Sequence, residues 1–167
     1  MKKEFDQFSQ NYKDLLDDSL KVTGFDTNYF ATAKIKTLAN FFPGLCHRPI
    51  NFLDYGCGTG LLLNPVQQFF PQAAYAGTDL SNEMIKEART QTSGSDIFFA
   101  MDSKQWKQRT YDLIFASNVF HHIPEEHHQK ILQELRKLLT PNGKIIVWEH
   151  NPLNPFTRKI VKDCIFD

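Results

Sequence analysis

The sequence is short of several features that would settle a function class at once. It has three cysteines in 167 residues, Cys46, Cys57 and Cys164. They are too widely spaced for a CxxC ligand pair or a disulfide framework, and a reducing cytoplasm is the simplest home they suggest. Neither sign of charge is in excess, since 19 Lys and Arg balance 19 Asp and Glu. No global field therefore draws the chain to nucleic acid or to an anionic membrane. No Lys/Arg run exceeds two residues, and no apolar run is long enough to span a bilayer. Met1 to Asp6 carry charge with no apolar stretch behind them, so no signal peptide is read there. Internal repeats and low-complexity segments are also missing.

What is present suits one domain with a packed core, with 41% hydrophobic residues. The first part reads as helical with breaks. Asp26 and Thr27 can cap a helix in which Phe30, Ile35, Leu38 and Phe41 recur at helical spacing, and Pro43 and Gly44 end it. Residues 1–48 are expected to form a helical cap or lid on a core of residues 49–167.

From Ile50 short apolar runs alternate with amphipathic segments. Strands are expected at Ile50 to Asp54, Ala73 to Asp79, Asp96 to Met101, Tyr111 to Ser117 and Lys144 to Glu149. Leu61 to Phe70 reads as a helix that Pro65 either kinks or opens. Ser81 can cap a helix over Glu83 to Thr90 with Met84, Ile85 and Ala88 inward. Pro124 suits a first helical turn, with Glu125 and Glu126 beside its positive end. Ile131, Leu135, Leu138 and Leu139 then make one stripe, which Thr140-Pro141-Asn142-Gly143 stops. Such alternation means parallel strands joined by right-handed crossovers. The continuous apolar runs fit strands covered on both faces. The expected fold is an open, doubly wound, mainly parallel α/β sheet of Rossmann-like type with N-terminal helices. Ligands bind such sheets at the carboxyl ends of the strands. Asp54 to Gly60, Asp79, Asp102 and Ser117 to His122 all fall there.

Gly56, Gly58 and Gly60 permit a sharp turn and close approach of a ligand to backbone. A tight strand-to-helix connection with no ligand would also use them. A dinucleotide site asks for G-x-G-x-x-G, but the spacing here is G-x-G-x-G, with Leu61 at the third glycine's place. Asp79 can bond both hydroxyls of an adenosine ribose, which serves NAD and S-adenosylmethionine equally, or it can cap the helix that follows.

These residues resemble a known family, in order and over about Phe52 to Glu149. Phe52-Leu53-Asp54-Tyr55-Gly56-Cys57-Gly58-Thr59-Gly60 resembles the first motif of class I S-adenosylmethionine-dependent methyltransferases. Gly77-Thr78-Asp79-Leu80-Ser81 with Met84 resembles the second, Ala100-Met101-Asp102 the third, and Tyr111 to Ile123 the fourth. Leu138 to Val147, with Pro141-Asn142-Gly143, resembles the helix-turn-strand that follows. The resemblance implies S-adenosylmethionine as cofactor and S-adenosylhomocysteine as product. It places Asp54 and the backbone of Gly56, Cys57, Gly58, Thr59 and Gly60 at the methionine part. Asp79 would hold the ribose, with Leu80 on the adenine. Asp102 would bond the adenine amino group beside Met101 and Ser103. Ser117 and Asn118 would lie near the sulfonium. Met84 and Met101 also read as core filling.

Methyl transfer is an in-line displacement that needs a base only where the acceptor loses a proton. His121 and His122, just after the fourth strand, are the candidates, against a role in helix entry or in solvent. His127 and His128 point about a hundred degrees apart on a helix, and no metal site is expected. The N-terminal helices are expected to close over the cofactor with Tyr12, Tyr29, Phe30 and Lys34. Tyr12 or Lys34 would meet its carboxylate, unless Lys34 lies in solvent. Asn118-Val119-Phe120-His121 stands where a nucleic-acid methylase of the Asn-Pro-Pro-Tyr type differs, so the expected acceptor is a small molecule or metabolite-like group.

Family members continue past the fifth strand with a helix and a two-stranded hairpin. Asn151 to Asp167 offers an amphipathic segment with Phe156, Ile160, Val161 and Ile165, and the hairpin is expected to be absent. The fifth strand would then be an apolar edge that invites a homodimer. Two other readings stay open: a non-catalytic cofactor-binding subunit of the same fold, and an NAD-dependent oxidoreductase.

Overall fold

The structure is a computed structural model in which residues 12–92, 95–151, 153–155 and 157–158 are described. The elements in chain order are α1 (Tyr12–Leu20), α2 (Thr27–Phe41), β1 (Ile50–Tyr55), α3 (Leu63–Phe69) and β2 (Ala73–Asp79). They continue with α4 (Asn82–Gln91), β3 (Phe98–Ala100), β4 (Tyr111–Ser117), α5 (Glu125–Arg136) and β5 (Leu139–Trp148). All strand pairs are parallel, in the order β3-β2-β1-β4-β5. The chain builds outward from β1 to β3, then crosses back to lay β4 on the other side of β1. That reversal opens a crevice beyond the carboxyl ends of β1 and β4, the usual ligand position in such sheets.

Alternation along each strand feeds two cores. Phe52, Tyr75, Phe98, Leu113 and Phe115 pack with Ala31, Ile35 and Leu38 of α2, Val66 of α3 and Ile85 and Ala88 of α4. On the opposite face Leu53, Tyr55, Ala76, Ile114 and Ala116 pack with Trp106, Phe120 and Leu135. Burial on both faces explains why these strands read as unbroken apolar runs.

Local chemistry sets the element ends. Asp26 accepts the Tyr29 amide at 2.8 Å and Ser81 the Met84 amide at 3.2 Å, which are the two expected caps. Pro65 falls in the first turn of α3, where its missing N–H is harmless, so it opens that helix. Other ends differ from the sequence reading. Asp96 and Ile97 form a short 3-10 turn, and β3 starts at Phe98, whose carbonyl is taken by the Arg89 guanidinium at 2.6 and 3.2 Å. α5 stops at Arg136. Leu139 already pairs with Tyr111, and the strand resumes with Lys144 opposite Leu113, so residues 140–143 loop out within β5. A Cβ on Gly143 would sit 2.6 Å from the Tyr111 carbonyl oxygen, which is why only glycine lets the two strands close there. Phe41 is 72% exposed, because the buried stripe of α2 is Thr27, Ala31, Ile35 and Leu38, with Phe42 packed on the core beyond it.

β5 pairs on one side only among the described residues, and Val147 is 42% exposed there. No described helix is long and apolar enough to cross a membrane. The Tyr12 side chain, Phe156, Ile160, Val161 and Ile165 lie outside the described residues.

Candidate active site

The crevice is built first from backbone. Gly56, Gly58 and Gly60 all have positive φ, at 79, 52 and 81°. The amides of Gly56 and Cys57 both donate to the Thr78 carbonyl, at 2.8 and 3.0 Å, and tie the turn to β2. A Cβ on Gly60 would lie 2.8 Å from the Phe98 ring, and one on Gly56 would run into Val119. The turn therefore needs glycine for conformation and for packing together. Asp79 holds it from the side. One carboxylate oxygen accepts the Gly58 amide at 2.8 Å and the other accepts the Ser81 amide at 2.8 Å. Ser81, not Asp79, is the cap of α4, and Asp79 bonds the amide of that capping residue.

The Cys57 side chain packs into the core, with its sulfur 3.7 Å from the Gly58 carbonyl oxygen. Its sulfur lies so close to Gly77 that a Cβ there would be 2.9 Å from it, and burial pushes the thiol well up. Thr59 is buried, and its hydroxyl has no hydrogen-bond partner among the described residues. Leu80, beside Asp79, is 44% exposed. After β3 the chain turns tightly. The Met101 amide donates to the Asp79 carbonyl at 2.9 Å and the Ser103 amide to the Ala100 carbonyl at 2.9 Å, with Asp102 exposed between them.

A second group of side chains gathers under α2. Asp54 is buried, and the Tyr75 hydroxyl donates to it at 2.6 Å. Burial raises the Asp54 carboxyl to about 7, against the pull of the Tyr75 bond and with Asp79 adding to the rise and Lys34 opposing it. Lys34 is not in solvent. Its ammonium donates to the Ser117 hydroxyl at 2.7 Å, and α2 thereby spans the reversal point to reach β4. Burial draws Lys34 down to about 8, with Asp54 and Glu149 opposing. Asn118 has φ 56°, and its amide donates to the Trp148 carbonyl at 2.7 Å, which turns the chain sharply out of β4.

The third group contains Glu149, to which the sequence reading assigned no role. Its carboxylate accepts the amides of Val119 and Phe120 at 3.0 and 2.8 Å and meets His121 Nδ1 at 2.5 Å. Burial raises its proton affinity, but these bonds outweigh it and hold the carboxyl below the usual range. The His122 and His150 rings lie 3.9 and 5.1 Å from that of His121, centre to centre. His128 Nε2 sits 2.9 and 2.8 Å from the carbonyls of Phe120 and Ile123, a structural contact at the start of α5. No cluster of three or more His, Cys, Asp or Glu among the described residues is placed to hold a metal. The strand-end rule that picked out Asp54 and Asp79 would also have found Glu149. Tyr75, in mid-strand, carries no such signal.

The donor set fits an adenosyl amino acid. Asp79 sets a carboxylate at the end of β2, the acceptor group a ribose diol needs. At the other side stand a carboxylate, Asp54, and an ammonium, Lys34, the two charges complementary to an amino-acid zwitterion. A diphosphate fits poorly. The Gly58 amide it would need is taken by Asp79, and α3 does not begin until Leu63, so no helix N-terminus follows the glycines directly.

A methyltransferase-domain family profile matches residues 53–145. This chain belongs to the methyltransferase-domain family. Among curated relatives, the methyltransferase domain is 36% identical over 95 residues to trans-aconitate 2-methyltransferase of Escherichia coli O1:K1, covering 56% of this chain and 36% of that protein. It is 32% identical over 112 residues to malonyl-acyl-carrier-protein O-methyltransferase of Halalkalibacterium halodurans, covering 62% and 40%. Its fold matches the plantazolicin methyltransferase BpumL, solved with SAH, at a TM-score of 0.68 and 19% identity over 98% of this chain and 67% of that one. The chain spans 36% to 45% of the length of the first curated relatives it matches.

Proposed function

We propose that this methyltransferase domain binds S-adenosylmethionine and transfers its methyl group to a small-molecule or metabolite-like acceptor. The observation that carries this reading is the Asp79 carboxylate bonded to the Gly58 amide at 2.8 Å, which makes the glycine turn and the ribose-binding acid one rigid unit. Asp79 then accepts the ribose hydroxyls. Leu80 and Met101 flank the adenine, and Asp102 and Ser103 bond its edge. Asp54, Lys34 and the backbone of Gly56 to Gly60 meet the amino-acid end, while Ser117 and Asn118 line the side toward the acceptor. When bound, the cofactor supplies a methyl group on a positively charged sulfur. His121 takes the acceptor's proton. Its Nδ1 faces Glu149, which stabilises the imidazolium that forms. His122, whose ring lies tilted at 50° beside it, is the alternative base.

The remaining parts belong to the same proposal. Residues 1–48 act as a lid on the core, the buried Cys57 and half-buried Cys46 suit a reducing cytoplasm, and the outer edge of β5 pairs two copies of the chain. Calorimetry with S-adenosylmethionine, S-adenosylhomocysteine and NAD tests the central claim. Binding of both adenosyl ligands and not NAD is expected, and NAD binding alone overturns it. Turnover of an acceptor by the cofactor-loaded chain separates an enzyme from a non-catalytic binding subunit.

A further inference from the structure

Tyr75 is a phenol in mid-strand, flanked in β2 by Ala74 and Ala76. Its ring is wedged between Phe52, stacked at 6.0 Å and 10°, and Phe98, met edge-on at 5.8 Å and 66°. A ring held on both sides has one place to aim its hydroxyl, and that place is Asp54, at 2.6 Å. Both residues are buried. Filling the core at this position needs only a phenylalanine. The hydroxyl adds a charge-assisted bond to the one buried carboxylate at the end of β1, directly before the glycine turn.

We propose that Tyr75 is a positioning residue for the amino-acid end of the cofactor. By occupying one oxygen of Asp54, it fixes the carboxylate plane and so directs the other oxygen to the cofactor's ammonium group. This rests on the cofactor assignment made above. Tyr75 touches no ligand itself. It acts through Asp54, so its influence is confined to ligands that carry an amino-acid end.

That confinement sets the test. The affinities of wild type and Tyr75→Phe are measured by calorimetry for two thioethers, S-adenosylhomocysteine and 5′-methylthioadenosine, which share the adenosine and differ in the amino-acid part. Tyr75→Phe is expected to weaken S-adenosylhomocysteine by about tenfold, the scale of one hydrogen bond to a charged group. It is expected to change methylthioadenosine by less than about twofold, since that ligand does not reach Asp54. In an Asp54→Asn background the same substitution is expected to have no further effect on either ligand. Equal weakening of both ligands marks a general packing role and overturns the proposal, as does unchanged binding of both. A persisting tenfold effect in the Asp54→Asn background also overturns it, because Tyr75 would then act by another route. A wild type that binds methylthioadenosine but not S-adenosylhomocysteine overturns the proposal alone. A wild type that binds neither overturns the cofactor assignment itself.

Discussion

The two sides of the crevice are made by different means. On the β1–β2 side the ligand surface is mostly main chain: three left-handed glycines, tied to β2 through Thr78 and Asp79. On the β4–β5 side it is made of side chains that meet across 28 positions of sequence, His121 and Glu149. The first side has neighbours so close that a single Cβ would collide, as at Gly60 against Phe98. The second is partly exposed, and its polar side chains contact one another, with Glu149 also accepting the Val119 and Phe120 amides. A surface built of backbone suits one invariant ligand. A surface built of side chains can be altered residue by residue without disturbing the fold, which suits the side proposed above to meet the acceptor.

If that division holds, substitutions on the two sides will separate binding from turnover. The largest effect is expected on the β4–β5 side. His121→Ala should lower turnover by about a hundred- to ten-thousand-fold, the usual worth of a general base, with cofactor affinity unchanged in calorimetry. A parallel loss of cofactor affinity would erase the division. On the other side, Asp79→Ala should weaken cofactor binding by roughly 1.5–3 kcal/mol, or about ten- to a hundredfold, and leave the turnover number at saturating cofactor largely intact. Full affinity in this variant would remove Asp79 from the site.

The smallest effect concerns pH and Asp54. Its carboxyl is raised to about 7 in the folded chain, against an ordinary value of about 4 when unfolded. The folded state holds this proton more tightly, so the contribution to stability is complete below the unfolded value and is lost as pH rises through about 7. Asp54→Asn removes that dependence. In thermal melts of the ligand-free chain, the variant should gain stability relative to wild type between pH 5 and pH 8. A relative loss at pH 8 would mean that attraction to Lys34 outweighs the burial of Asp54.

The same contrast explains what could be read from the sequence. The sheet was legible because β1, β2 and β4 are buried over most of their length and so appear as apolar runs, and because Ser81 and Asp26 mark helix starts by local chemistry. The glycine turn and Asp79 were legible because their spacing is short and their conformations are costly for other residues. The partnership of His121 with Glu149 was not, since it depends on how far β5 extends beside β4. That register is set by the looped residues 140–143, whose place within the strand the sequence reading put instead at a helix end. Lys34 was visible as one of two possibilities, and only the path of α2 across the sheet removes the one that put it in solvent. Tyr75 was hidden because a buried phenol and a buried phenyl look alike until the acceptor of the hydroxyl is known.

The central place of β1 has a consequence for assembly. Phe52 pairs with Leu113 and Asp54 with Phe115, partners roughly sixty positions apart, whereas the β1–β2 pairing joins residues much nearer in the chain. Loop closure makes the longer-range pairing the slower to form. The glycine turn can therefore settle against β2 before its opposite wall exists, and the crevice becomes complete only when β4 docks. A ligand that needs both walls will stabilise the finished domain without hastening its formation, and will appear in kinetics as slower unfolding at an unchanged folding rate.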